Sequence, residues 1–300
     1  MAVCQIVNYL WDGTLKAVSI ITRRNMYSSL SKSYRGVFPF RIATTSFIYP
    51  DDYVPNVKML GPYFDEIALL LFESLPPDAL PGAAVIAELA HLAEKYALTY
   101  NVHLPIDISI SDPHPSKQKQ AVDTILSTVD LTSPLPVSGY VLHVPYTGNS
   151  FEKESVKKWR NQALSNLAKI LASGVRPDSI WVETLDYPCE LLSGIIDELD
   201  LKICLDLGHL MLHGYDIESA FNRYGSKTAL IHLHGIVDKR DHLELNTLSE
   251  DDIGPLLWIL RQFTKTVSLE VFSFDKLQAS LVFLEKQCRT FGSSVAESSD

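Results

Sequence analysis

Eight short runs of apolar and β-branched residues recur between residues 41 and 272, and stretches with helical spacing separate them. The runs are Arg41–Phe47, Glu66–Phe72, Thr99–Leu104, Gly139–Val144, Ser179–Thr184, Lys202–Leu207, Thr228–His234 and Thr266–Phe272. Each is nearly continuously apolar, as parallel strands covered on both faces must be, whereas a half-solvated strand alternates. Parallel strands need a crossover between them, usually a helix. Apolar spacing of three and four residues predicts helices at Gly82–Tyr96, Lys117–Val129, Glu152–Leu171, Pro188–Leu199, Ile217–Tyr224, Ser249–Phe263 and Asp275–Cys288. Gly174 follows the third of these as a stop, and Ser249 with Asp252 has the spacing of a capping box. The first crossover, Asp52–Phe64, holds Pro55 and Pro62 and is the least helix-like. Eight such units predict a single (β/α)8 barrel over residues 37–290. An open doubly wound sheet is the rival. Its dinucleotide-binding form has no support, because no G-x-G-x-x-G follows the first run.

The segments outside the barrel differ from it. Residues 1–36 hold five basic residues (Lys16, Arg23, Arg24, Lys32, Arg35) against one acid, Asp12. No apolar core of signal-peptide length accompanies them. They read as a flexible N-terminal extension, and residues 291–300 as a flexible tail. The remaining 264 residues carry 21 basic and 35 acidic residues, a balance of −14. That acidity and the lack of a basic run argue against a clamp on long nucleic acid. No stretch reaches the roughly 18 apolar residues of a membrane span. The four cysteines, Cys4, Cys189, Cys204 and Cys288, form neither a C-x-x-C pair nor a metal-finger spacing. They read as reduced thiols, and the expected location is cytoplasmic.

Reactive residues cluster where the predicted strands end, which is where such barrels place their sites. Glu73 follows the second run; His103, His143 and Glu183 close the third, fourth and fifth; Asp206 closes the sixth, with His209 three residues on. His232 and His234 close the seventh, Asp241-His242 follows it, and Glu270 closes the eighth. Strand parity is consistent: Asp206 shares a face with Cys204, opposite Ile203 and Leu205, and Glu270 shares one with Ser268, opposite Val267 and Leu269. A lone inward histidine is most simply a hydrogen-bonded core group. Several acids and imidazoles at one mouth are costly without a cation to offset them. Imidazole with carboxylate suits Zn²⁺, Mn²⁺ or Fe. His91, His114 and His213 sit in surface, loop and helix-end contexts, and Trp159 and Trp258 look like packing residues.

These residues resemble those of the xylose-isomerase-like barrel superfamily, which includes endonuclease IV. The matching segments are His103-Leu-Pro, His143-Val-Pro, Val182-Glu183-Thr184, Asp206-Leu-Gly-His209, His232-Leu-His and Leu269-Glu270. Within it, Thr44-Thr-Ser-Phe-Ile-Tyr-Pro50, Leu70-Leu-Phe-Glu-Ser74, Glu183-Thr-Leu-Asp-Tyr-Pro188, Cys204-Leu-Asp-Leu-Gly-His209, Ile231-His-Leu-His-Gly235, Asp241-His242 and Leu269-Glu-Val-Phe-Ser273 resemble the cobamide-remodelling phosphodiesterases (CbiR). That resemblance covers roughly residues 38–285. It implies hydrolysis of the nucleotide-loop phosphodiester of a cobamide, giving cobinamide and a lower-ligand nucleoside phosphate. It also implies two or three divalent ions and their ligands: His103, His143 and Glu183 for one ion; Glu183, Asp206, His232 and Glu270 for a second; His209 and His242 for a third. The match departs at Arg240, where endonuclease IV has an aspartate, and Asp241 is the adjacent carboxylate. Glu183, Glu270 and His234 are the expected catalytic residues, and Glu73, Tyr146 and Asp241 the expected substrate contacts.

The expected partner is thus a small-molecule corrinoid, with no nucleic acid and no membrane. Tyr49, Tyr146, Tyr187 and Phe272 are candidates for an apolar mouth or for packing. Two other classes compete. A sugar isomerase or epimerase needs one metal, held by Glu183, Asp206, His232 and Glu270, and leaves His103, His143 and His242 without a job. A non-catalytic corrinoid binder does not require the ligand set at all.

Overall fold

The alternation of strand and helix closes on itself in the computed structural model, which describes residues 27–74, 79–148 and 150–293. Eight parallel strands form the barrel: β1 (Arg41–Thr45), β2 (Glu66–Leu70), β3 (Thr99–His103), β4 (Val137–Leu142), β5 (Ile180–Glu183), β6 (Lys202–Asp206), β7 (Thr228–Leu233) and β10 (Thr266–Leu269). Neighbours in sequence pair, and β10 closes the ring between β7 and β1. A short antiparallel hairpin, β8 (Gly235–Val237) and β9 (Arg240–Leu243), rises between β7 and β10.

Around the barrel run α1 (Tyr53–Leu60), α2 (Ala83–Tyr96), α3 (Pro115–Thr132), α4 (Lys153–Ala172), α5 (Ser193–Glu198), α6 (Leu207–Leu212), α7 (Ile217–Tyr224), α8 (Glu250–Gln262) and α9 (Phe274–Ser293). Helix α2 buries Ile86, Leu89, Leu92 and Ala93 at helical spacing. It ends at Ala97, whose left-handed backbone (φ 48°) lets its N–H reach Ala93 O and Glu94 O. Ser249 caps α8, its Oγ accepting Asp252 N–H at 3.2 Å and donating to Asp252 Oδ2 at 2.6 Å. Pro55 lies in the first turn of α1, where an N–H has no intrahelical partner to lose. The stretch Pro188–Leu199 divides into a 3-10 turn, Cys189–Leu192, and the short α5.

Pairing stops one to three residues before each of the apolar runs does. Leu71, Leu104, Val144, Leu207 and Val271 lie beyond the strands yet are buried beneath the mouth loops. Hydrophobicity therefore marks burial there and does not mark where the ladder ends. The barrel also begins earlier than the expected boundary at residue 37. Leu30 and Tyr34 are buried in the core, and Tyr49 Oη donates to Ser28 O at 2.7 Å. Residues 27–36 are thus packed against the fold, a correction to the flexible extension; the rest of it, residues 1–26, lies outside the described residues. Helix α9 likewise continues to Ser293, past the expected end at 290.

The core has two parts. The strand faces turned to the helices carry Ile42, Ile67, Val102, Leu142, Val182, Leu205, Ile231 and Val267 in one large cluster. Inside the barrel, Val141, Trp181, Cys204 and Leu230 form a separate plug. Trp181 occupies space left by Gly139: a Cβ at Gly139 would lie 2.1–2.6 Å from the indole. Near the amino-terminal end, buried Glu66 accepts from Asn101 Nδ2 (2.8 Å) and Thr99 Oγ1 (2.7 Å), so its desolvated carboxylate has partners. Among the described residues, no helix is long and apolar enough to cross a membrane, and Cys189, Cys204 and Cys288 are free thiols.

The plug carries a stability prediction. Gly139→Ala should destabilise the barrel by about 1–3 kcal/mol through overpacking, and Trp181→Phe should restore part of that loss. Urea denaturation of the single and double variants measures it. Additive losses in the double variant would contradict the contact.

Candidate metal centre

The mouth of the barrel is built by residues at one level of the ladder. Register sets Asp206 beside His232, His232 beside Ser268, and Glu183 beside Cys204. Alternation along each strand then sends the aliphatic neighbours to the helices and these side chains inward. Glu183, Asp206, His103, His232, His234 and Glu270 are all buried.

Glu183 sits at the middle. Its Oε2 lies 3.2 Å from His103 Nε2 and 3.0 Å from His143 Nε2. Its Oε1 lies 3.3 Å from His232 Nδ1 and 3.7 Å from His209 Nδ1. One carboxylate therefore faces two sets of imidazoles. His103 Nδ1 donates to Leu104 O at 3.0 Å, so it is Nε2 that gains the lone pair a ligand needs when the ring loses its second proton. Asp206 is fixed by its backbone N–H, which donates to Thr184 Oγ1 (2.9 Å), and by its Oδ1, which caps α6 through His209 N–H (2.7 Å). The same cap brings the His209 ring back over Asp206, with Nδ1 3.1 Å from Oδ2.

His242 arrives on β9 with a left-handed backbone, φ 51°. A β-hairpin delivers it across the mouth, and that conformation is costly for a residue with a Cβ. Its ring stacks on His234 at 4.4 Å between centroids, and its N–H donates to His234 Nδ1 at 3.1 Å. Asp241 Oδ1 lies 3.0 Å from His242 Nδ1. Burial alone would raise the Asp241 acid, but the adjacent His242 imidazole, with those of His234 and His209, prevails and holds it at about 2.

Four groups can hold a cation, with ligand atoms within 4.8 Å of one another: His103–His143–Glu183, Glu183–Asp206–His232–Glu270, Glu183–Cys204–His232 and His209–His234–His242. The structure supplies a test of fit. Asp206 Oδ2, Glu270 Oε2, His209 Nδ1, His234 Nε2 and His242 Nδ1 are buried without a hydrogen-bond partner. Several are close to one another; Glu270 Oε2 is 2.9 Å from His232 Nδ1. They are aimed past each other. Atoms that converge on a shared point rather than pair directly are what a bound cation needs, and the nitrogen and oxygen donors suit Zn²⁺, Mn²⁺ or Fe.

The charges tell the same story. Burial would raise the Glu183 acid, but the His143 and His232 charges and the imidazole hydrogen bonds hold it well below its usual range. Burial opposes a charged His232, yet the acidic groups facing it, Cys204, Glu270 and Glu183, push its pKa well up. His103 and His234 are raised against burial in the same way, by Glu183 and Asp206 respectively. Only His143 follows burial downward. Protons on these imidazoles occupy the electrostatic role a divalent ion takes.

The expected residues divide as follows. His103, His143, Glu183, Asp206, His209, His232, His242 and Glu270 come together. His234, expected to serve catalysis alone, also joins His209 and His242 as the third member of an all-imidazole group. Asp241 stands behind His242. Glu73 is half-buried just past β2 and belongs to none of the groups. Tyr146 turns its hydroxyl to Ser150 O (2.5 Å) and packs edge-on to Trp159. Tyr49 and Tyr187 are packing residues, the latter donating to Val144 O at 2.8 Å. His114 and His213 lie at helix ends, and His91 is exposed. Two positions went unassigned by the sequence reading. Gly208 leaves room for His234, since a Cβ there would lie 2.2–2.5 Å from the ring. Cys204 lies beneath Glu183 and His232, and register alone could have shown it.

The model of the xylose isomerase-like TIM barrel family matches residues 56–287. Among solved structures, a D-tagatose 3-epimerase-like protein superposes with a TM-score of 0.71 at 17% identity, covering 85% of this chain and 100% of its own. The IOLI protein with a binding zinc atom gives 0.63 at 14% identity, covering 85% and 98%. An AP endonuclease, family 2, from Brucella melitensis gives 0.60 at 14%, covering 81% and 96%. Identities this low establish shared fold alone. No curated protein sequence matches the chain.

Two outcomes follow. Metal uptake must expel protons from His103, His232 and His234, whose raised pKa values keep them protonated above the ordinary value of about 6.5. Apparent affinity should therefore fall as pH drops through that region, and titration calorimetry in two buffers of different ionisation enthalpy should show proton release. A pH-independent affinity from 8 to 5.5 contradicts the assignment. Gly208→Ala should displace His234 and weaken one class of metal site by about 10- to 100-fold, leaving the others intact by metal analysis. Loss of every site together would contradict that separation.

Proposed function

The chain belongs to the xylose isomerase-like TIM barrel family, and we propose that it is a metal-dependent phosphodiesterase that opens the nucleotide-loop phosphodiester of a cobamide. The carrying observation is that Glu183 presents one oxygen to His103 and His143 and the other to His232 and His209. A carboxylate shared in this way serves adjacent cations, and paired cations suit in-line displacement at phosphorus.

His103, His143, Glu183, Asp206, His232 and Glu270 would hold two divalent ions, and His209, His234 and His242 a third. Bound there, such ions supply Lewis acidity at a phosphoryl oxygen and lower the pKa of water. The chain's own residues do the rest. Glu183, Asp206 and Glu270 set the local charge at −3, so the phosphate anion is accepted only once cations exceed it. Glu270 Oε2 is placed to take the proton of the attacking water. The His242 N–H donates to His234 Nδ1 and fixes that ring at the mouth. Burial of Glu183, Asp206, His103, His232, His234 and Glu270 limits bulk water around them and strengthens each of these interactions.

The corrinoid as substrate is supported by the resemblance across roughly residues 38–285 and by a mouth edged with Phe47, Phe72 and Phe272. The acidic balance of the barrel favours a small substrate over long nucleic acid.

A second reading has one observation in its favour. Glu183, Asp206, His232 and Glu270 form a complete group by themselves, able to hold one ion while the glutamates exchange protons with sugar carbons. It leaves the buried nitrogens of His209 and His242 unused.

Anaerobic incubation of metal-loaded protein with adenosylcobalamin, read by liquid chromatography and mass spectrometry, separates the readings. We expect cobinamide and the lower-ligand nucleoside phosphate. Chelation should abolish them, and Glu183→Gln should slow them by more than about 100-fold. Intact cobamide with Zn²⁺, Mn²⁺ and Fe²⁺, together with solvent deuterium entering a ketose, would overturn the phosphodiesterase in favour of the epimerase.

A further inference from the structure

Phe38, Phe40, Phe64 and Phe263 are buried in the core. Phe47, Phe72 and Phe272, at the carboxyl ends of β1, β2 and β10, are only half-buried. They form one continuous wall. Phe47 and Phe72 lie nearly parallel, 9° apart, with centroids 6.4 Å apart. Phe72 and Phe272 meet nearly at right angles, 75°, at 6.3 Å. The wall meets the metal centre at its middle ring and at one end: Phe72 packs edge-on to His103 at 5.4 Å, and Phe272 lies 4.9 Å from His242. It is also held in place. Phe47 rests on Tyr53, whose hydroxyl donates to Leu70 O at 3.1 Å, and Phe72 O accepts Ile106 N–H at 2.9 Å.

We propose that this wall is the binding subsite for an uncharged planar aromatic substituent of the phosphodiester, seated while the phosphate lies at the metal centre. The inference rests on the phosphodiesterase reading and names the part of the substrate that the reading leaves open. Two features carry it. The wall touches imidazoles of two different metal-capable groups, so a phosphate bound at the centre places its next substituent against these rings. The right-angled corner of Phe72 and Phe272 offers a third ring one face and one edge, the two contacts aromatic pairs prefer. The cation–π contacts among the described residues fall on Tyr34, Tyr96 and Tyr224 and not on the wall.

The test uses the metal-loaded full chain and three phosphonates that differ only in the substituent: phenyl, cyclohexyl and methyl. Calorimetric titration should give phenylphosphonate about 10-fold tighter binding than methylphosphonate and about 2- to 10-fold tighter than cyclohexylphosphonate. Phe272→Leu keeps apolar volume and should remove most of the preference for phenyl over cyclohexyl. Phe47→Leu, which is further from the ligand imidazoles, should reduce it while metal content stays unchanged. Equal affinity for the three compounds overturns the subsite, as does a phenyl preference untouched in both variants. Binding of none of them by metal-replete protein overturns the phosphodiesterase reading, and the subsite with it.

Discussion

The structure turns on the carboxylate of Glu183, buried at the centre of the barrel mouth with imidazoles on both sides. An isolated ionised carboxylate in such a place is very costly. Here it is flanked by two further acids and six histidines, so the cost grows unless positive charge enters. Protons can supply part of it, which is why His103, His232 and His234 hold theirs above the ordinary range. Divalent ions would supply it better: five buried polar atoms around the mouth have no hydrogen-bond partner, and the candidate groups hold ligand atoms within 4.8 Å of one another.

The fold makes this arrangement affordable by segregation. Branched aliphatics on the strands face the helices and form the large core. The barrel interior is filled below the mouth by Val141, Trp181, Cys204 and Leu230. That floor keeps water from reaching the acids from beneath. Above it, short local devices aim the ligands. Thr184 anchors Asp206, the Asp206 cap anchors α6, and the β8–β9 hairpin carries His242 across on a left-handed backbone. The aromatic edge formed by Phe47, Phe72 and Phe272 then gives the charged centre an apolar flank, a combination typical of small-molecule sites.

Much of this was legible in the sequence, and the reasons are physical. Parallel strands buried on both faces read as continuous apolar runs, so eight of them revealed the barrel. The acids and imidazoles gathered at the strand ends were visible because such a residue at the close of an apolar run has no packing reason to be there. What stayed hidden depends on chain geometry that periodicity does not encode. The hairpin of Gly235–Val237 with Arg240–Leu243 has no apolar run to announce it. The pairing of His234 with His209 and His242 follows from that hairpin and from the missing side chain at Gly208. Tyr49 and Tyr187 read equally well as mouth or core, and their buried hydroxyl bonds place them in the core. Leu30 and Tyr34 sit in a basic, serine-rich stretch whose composition masks their burial.

The proposed reading requires Glu183 to serve cations on both of its sides. Anomalous diffraction from crystals of the metal-replete protein, collected on both sides of the zinc or manganese edge, tests it most directly. The account predicts at least two anomalous peaks flanking the Glu183 carboxylate, one beside His103 and His143 and one beside Asp206, His232 and Glu270. A single peak on the Asp206 side, with His103 and His143 empty at saturating metal, would contradict it.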